Sequence, residues 1–136
     1  MQRSGLPQNV NPPELATPRG FSHVTIAGDN VWIGGQTGTD SAGKIVEPGD
    51  IVAQFARAIR NLGSALHAAG CRPEDTVKLT YYVTDLAGYR RSLAGIGTEY
   101  REVFGRHYPA STLVEVRSLF DPDALVEIDA VAVRRG

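Results

Sequence analysis

The chain alternates between two hydrophobic periods, and the switches between them mark its elements. Over residues 76–84 the alternation is strict. Val77, Leu79, Tyr81 and Val83 fall on one side, Lys78, Thr80, Tyr82 and Thr84 on the other, which predicts a strand. Shorter apolar runs around Val24–Ile26 and Val31–Ile33 flank the turn-forming Gly28-Asp29-Asn30, so 22–34 reads as a β-hairpin. Segments 111–118 and 125–133 are two more strands. Ser111, Leu113, Glu115 and Arg117 share one side of the first, and Val126, Ile128, Ala130 and Ala132 one side of the second.

Two segments carry the helical period instead. Asp50 can cap a helix whose stripe is Ile51, Phe55, Ala58, Ile59, Leu62 and Leu66, with Gly70 as its stop. Thr84 or Asp85 can cap a second helix with the stripe Tyr89, Leu93, Ile96, Tyr100, Val103 and Phe104, stopped at Gly105. Gly95 and Gly97 lie inside it, each costing about 1 kcal/mol relative to alanine. Such glycines are best tolerated where a neighbour or a ligand approaches closely.

The order is ββαβαββ, which predicts an α+β domain with two helices on one face of a mixed sheet. The proline-rich stretch 1–17 reads as an extended arm and 18–136 as a single domain. The helices can cover only one face of the sheet. Lys78, Tyr82, Leu113, Glu115, Glu127 and Asp129 are assigned to the other, a mixture too apolar to leave bare and too polar for a second core. A symmetric oligomer would enclose that face and form ligand pockets where subunits meet.

Composition narrows the function. The 136 residues are 42% hydrophobic and 21% charged with a net charge of −1, as in ordinary globular chains. No basic run is present, so a nucleic-acid partner is disfavoured. No apolar stretch is long enough for a membrane span, and the first residues lack a signal-peptide core, which points to the cytoplasm. The three histidines show no ligand spacing, so no metal site is expected. The single cysteine, Cys71, reads as a small turn residue; His67, four positions back, is the one base near enough in sequence to activate it. Gly34-Gly35-Gln36-Thr37-Gly38 fits no phosphate-loop template, and its glycines read instead as positions of close backbone approach.

Four strings in fixed order carry a family resemblance: GFSHVTIAGDNVWIGGQTG at 20–38, GDIVAQFARAIRNLGSAL at 49–66, AGCRPEDTVKLTYYVTDL at 69–86, and PASTLVEV with LVEIDAVAV at 109–116 and 125–133. Together they resemble the RidA/YjgF superfamily over about residues 18–135. The resemblance implies a chorismate-mutase-like fold and a homotrimer with a central β-barrel and three pockets at the subunit interfaces. It implies hydrolysis of enamines and imines released by pyridoxal-phosphate enzymes, giving a 2-keto acid and ammonia, with no cofactor held by the protein itself.

That chemistry needs a cation to fix the substrate carboxylate, a carboxylate to handle a proton, and backbone groups near the glycine loop, Gly34 and Gly35 among them. By the resemblance Glu127 is the family's catalytic glutamate. The other pocket positions depart from the pattern. Ser111 stands where the family has its arginine, Gly97 where many members have asparagine, Phe21 where tyrosine is common, Gly34 where serine is common, and Leu113 where a small residue or cysteine is common. A cation, an amide and hydroxyls are lost, so 2-imino acid hydrolysis of the archetypal kind is expected to be impaired. Arg117 lies about 20 Å along the strand from Ser111, too far to substitute. Arg19, at the end of the leading segment just past the arm, is the candidate replacement. Two functions follow: a hydrolase for an imine, enamine or related small metabolite, or a non-catalytic trimer that binds a small metabolite or a protein. Ribonuclease activity is disfavoured by the weakly acidic charge.

Overall fold

A computed structural model describes residues 5–135; the first four residues of the arm and Gly136 lie outside the described residues. Six strands form one mixed sheet: β1 Gln8–Val10, β2 Val24–Ala27, β3 Asn30–Thr37, β4 Thr76–Val83, β5 Ala110–Glu115 and β6 Val126–Val133. Their spatial order is β1-β2-β3-β6-β4-β5. Every pairing is antiparallel except β4 with β5. Helix α1, Ile51–Ala68, connects β3 to β4; α2, Leu86–Arg91, and α3, Leu93–Phe104, connect β4 to β5.

The layering follows from connectivity. β3 and β4 are both antiparallel to the β6 between them, so they run parallel to each other. The two helical crossovers therefore proceed in the same direction across the sheet, β3 to β4 and then β4 to β5. Crossovers of one hand, stepping the same way, put their helices on the same face. Side-chain alternation agrees. Val31, Ile33, Leu79, Val83, Val126 and Ile128 are buried beneath the helices, against Phe55, Ile59, Leu62 and Leu66 of α1. Burying each such side chain contributes about 1.5–3 kcal/mol.

Caps and glycines set the helices in place. Asp50 accepts from Ala53 N at 3.0 Å, and Asp85 accepts from Gly88 N at 3.0 Å. A Cβ on Gly95 would lie 3.2 Å from both methyl groups of Val52, so the missing side chain lets α3 sit close on α1. Gly38 is tighter still: a Cβ there would meet Gln54 O at 2.8 Å. Gln54 is itself fully buried. Its amide donates to Asp123 O at 3.1 Å and Glu47 O at 3.3 Å, and its carbonyl accepts from Leu125 N at 2.8 Å. One side chain thus clasps α1 to the loops before α1 and before β6.

Several expectations need correction. The second helix is two helices, because the chain makes a turn at Ser92 (φ −107°, ψ 12°) that carries Leu93 off the buried stripe to 55% exposure. Val77 leaves the apolar side of β4. A bulge against β6 between Thr76 and Lys78 buries Thr76 in its place. Leu113 and Glu115 are not on the uncovered face. They pair in register with Tyr81 and Val83, on the helix side, where Glu115 Oε2 accepts from Leu86 N at 2.8 Å. β5 ends at Glu115, short of Arg117. In the leading segment Gln8–Val10 adds a strand beside β2, and Leu15 is buried in the core. The segment's prolines hide that role from any periodic pattern.

Gln54→Leu should destabilise the fold by about 2–4 kcal/mol, since it removes three hydrogen bonds that a fully buried side chain makes to the two loops. Urea unfolding at fixed protein concentration checks this.

Candidate functional site

Two separate arrangements emerge, one on each face of the sheet. The first centres on Glu127, on the face the helices leave bare. β6 places Glu127 between Tyr82 of β4 and Thr37 of β3 in register. Just before Thr37 the β3 register slips between Ile33 and Gln36, so Gly34 and Gly35 form a bulge opposite Asp129. A Cβ on Gly35 would collide with the Glu127 carboxylate, so only glycine leaves that space to the acid. Gly34 is held from behind: its N–H donates to His23 O at 2.8 Å, and a Cβ on it would lie 3.2 Å from Ser22 O. Phe21, just before Ser22, is 59% exposed and meets His23 edge-on at 5.6 Å.

Among the described residues no donor reaches the Glu127 carboxylate. The hydroxyl of Tyr82, its neighbour in register, donates instead to Asp129 Oδ2 at 3.1 Å. Burial pushes the Glu127 carboxyl above its ordinary value, and the neighbouring Asp129 carboxylate raises it further. A half-buried acid of this kind can take up and return a proton near neutrality more readily than an exposed one.

The second arrangement is a groove on the helix side. α1 lies over β3 and β6 and leaves the edge strand β5 uncovered, so a cavity of about 290 Å³ opens between α2–α3 and β4–β5. Ser111, Leu113 and Gly97 all line it. Its walls are largely aromatic. Tyr81 and Tyr89 both contact Phe55, at 6.2 and 6.5 Å between ring centroids, and Tyr108 stacks on Tyr100 at 5.4 Å. Burial, with a smaller effect of Tyr108, pushes the Tyr100 hydroxyl up to about 12, and it donates to His107 O.

The candidate residues therefore divide. Glu127, Gly34, Gly35 and Phe21 belong to the bulge on the bare face or its margin; Ser111, Leu113 and Gly97 belong to the groove behind the sheet. The strands themselves stand between the two groups, so one chain does not bring them together. Sequence reasoning missed Arg101, which lines the groove with Ser111. Its signal was its place one helical turn after Gly97. Cys71 is an inert candidate: it is buried, and burial, with Asp75 nearby, pushes its thiol up. The described residues contain no cluster of three or more metal-ligating side chains, and no helix is long and apolar enough to cross a membrane.

The family model described as Endoribonuclease L-PSP matches residues 12–134. The chain belongs to this family. In the wider naming of its members this is the RidA/YjgF superfamily. A RutC family protein of Pyrococcus abyssi is 36% identical over 115 residues, covering 84% of this chain and 86% of the relative. A 2-iminobutanoate/2-iminopropanoate deaminase of Capra hircus is 30% identical, covering 84% and 80%. Among solved structures, E. coli TdcF with bound serine superposes with a TM-score of 0.80 at 28% identity, covering 94% of this chain and 99% of that one. The α+β fold expected from the sequence is the fold of the family.

Because burial raises the Glu127 carboxyl, the folded protein holds that proton to higher pH than the unfolded chain does. Stability is lost as pH rises through that window and is not regained above it. Glu127→Gln should therefore raise the melting temperature at neutral pH. The gain should vanish well below the unperturbed value of 4.5, where glutamate is protonated in both states. Thermal melts of both proteins across pH check the sign.

Proposed function

We propose that the protein is a cytoplasmic homotrimer with pockets between subunits, in which it hydrolyses a small imine, enamine or related metabolite. The observation that carries this is the division of the site. Glu127 and the glycine bulge face out of the bare side of the sheet, while Ser111, Leu113 and Gly97 line a groove behind it. A second copy docked on the bare face can complete one pocket from the two halves. The same face needs a cover, since Trp32 is 45% and Val114 41% exposed there. Cyclic closure by three copies would enclose every bare face at once.

In the reaction, water adds to the imine carbon while the nitrogen is protonated. The tetrahedral adduct then expels ammonia and leaves the carbonyl, so that C=NH and water become C=O and ammonia. Glu127 passes one proton of the attacking water to the imine nitrogen and then carries the adduct's hydroxyl proton to the departing nitrogen, so both hydrogens of water leave in ammonia. Its raised affinity for a proton suits both steps. The relatives named as 2-iminobutanoate/2-iminopropanoate deaminases support this class of reaction. RNA is a poor fit, because Glu127 and Asp129 put two carboxylates on the bare face and the net charge is −1. A cytoplasmic location fits a chain with a single buried, unpaired cysteine.

The test generates 2-iminopropanoate and 2-iminobutanoate in situ and follows ammonia or keto-acid release. Hydrolysis by the native protein, cut about 10²–10⁴-fold in Glu127→Gln, supports the reading. Activity that appears only in Ser111→Arg would mean that an intact pocket lacks its substrate anchor. Inactivity of both proteins, in a sample of trimeric mass, favours the alternative of a non-catalytic binding trimer. A light-scattering mass of one 14.6 kDa chain would remove the shared pocket.

A further inference from the structure

The groove contains a cation that the strand does not provide. We infer that Arg101 of α3 binds the ligand's carboxylate in place of a strand arginine at position 111, and that the ligand carries a bulky apolar or aromatic group on that acid. The inference rests on the shared-pocket reading above and names the substrate class for it.

Arg101 and Ser111 line the same cavity, one from the helix wall and one from the strand wall. The guanidinium is folded back along the helix onto Gly97. A Cβ at position 97 would lie 3.1 Å from Nη1 of Arg101, tighter than such groups usually approach, and in ordinary contact with the rest of the guanidinium. The bare position at 97 leaves the guanidinium room to lie against the helix beside the groove without giving way. Among the described residues Arg101 has no carboxylate partner; the two ion pairs, Arg60–Glu99 and Arg135–Asp75, involve other arginines. An unpaired guanidinium offers a planar fork of donors suited to a carboxylate, and the Ser111 hydroxyl can add one more hydrogen bond from the opposite wall.

The rest of the cavity sets what is attached to the acid. Tyr81, Tyr89, Ile96, Tyr100 and Leu113 present an aromatic and aliphatic surface within about 290 Å³. Burial holds the Tyr81 and Tyr100 hydroxyls protonated, so the wall adds no negative charge to repel an anion. A ligand with only a methyl or ethyl group would leave most of that wall in contact with water. A phenyl or branched aliphatic group would cover it.

Calorimetric titration of the full chain with 3-phenylpropionate, its uncharged analogue 3-phenylpropan-1-ol, and propionate tests both halves. Native protein should bind 3-phenylpropionate at least tenfold more tightly than either of the others. Arg101→Gln should lose the preference for acid over alcohol, and Arg101→Lys should restore part of it. Equal binding of acid and alcohol by the native protein, or an Arg101→Gln variant that binds the acid as the native does, overturns the role of Arg101. Propionate binding as tightly as 3-phenylpropionate overturns the apolar half. If Arg101→Gln changes the oligomeric mass, Gly97→Ala decides. Its methyl crowds the guanidinium while favouring the helix, so weaker acid binding at an unchanged or higher melting temperature supports the inference, and unchanged acid binding overturns it. Hydrolysis of imino acids that survives in Arg101→Gln would overturn the anchor and leave the reaction standing. Charge-dependent acid binding without hydrolysis would support the anchor and sink the reaction.

Discussion

One-sided coverage of the sheet is the constraint from which the rest of this molecule follows. Two parallel connections that step in the same direction place α1, α2 and α3 on the same side, and the described residues hold no further α-helix for the other. The bare side is nevertheless built from eight-residue strands β3, β4 and β6, with Trp32 among the side chains that face outward. The hydrophobic effect that assembles the first layer is left unsatisfied on the second, and the proposed assembly of copies is the response to it.

The same constraint explains why the two groups of polar residues lie apart. A strand sends alternate side chains to opposite faces. Glu127 lies between Val126 and Ile128, both buried under the helices, so it must point away from them. Ser111 is paired with Leu79 and must point toward them. In a solitary chain these two residues serve different surfaces. In the proposed trimer each pocket draws its acid from one copy and its binding groove from the next, so neither subunit is complete alone.

Most of the architecture was legible in the sequence because period and turn chemistry agree with each other. The α1 stripe, its Asp50 cap, the hairpin and the alternation of β6 all stand as expected. What stayed hidden has identifiable causes. The bulge at Thr76–Lys78 shifts the face of Val77 without changing the pattern of letters. The faces of Leu113 and Glu115 depend on register with β4, which no single strand encodes. The break at Ser92 sits in a sequence whose apolar spacing runs on through it. Of the candidate site, Glu127 was named through the family resemblance, and Gly34 and Gly35 as positions of close backbone approach. Arg101 was not, because its relevance depends on an empty position one turn earlier and on a strand far off in sequence.

The arm has a part in this beyond its short strand. Asn11 accepts from His23 N at 2.7 Å, and Ala16 O receives the His23 Nε2 proton at 2.7 Å, a tautomer assigned from its partners. That leaves Nδ1 to accept from the Gln36 amide at 3.1 Å, while the same amide donates to Gly34 O at 3.1 Å. The leading segment is in effect a guy-rope, running through one imidazole and one carboxamide to the backbone beside Glu127. Trimming the first sixteen residues as dispensable would slacken the glycine bulge itself, and any comparison of shortened and full-length chains would report on the acid's surroundings as much as on the arm.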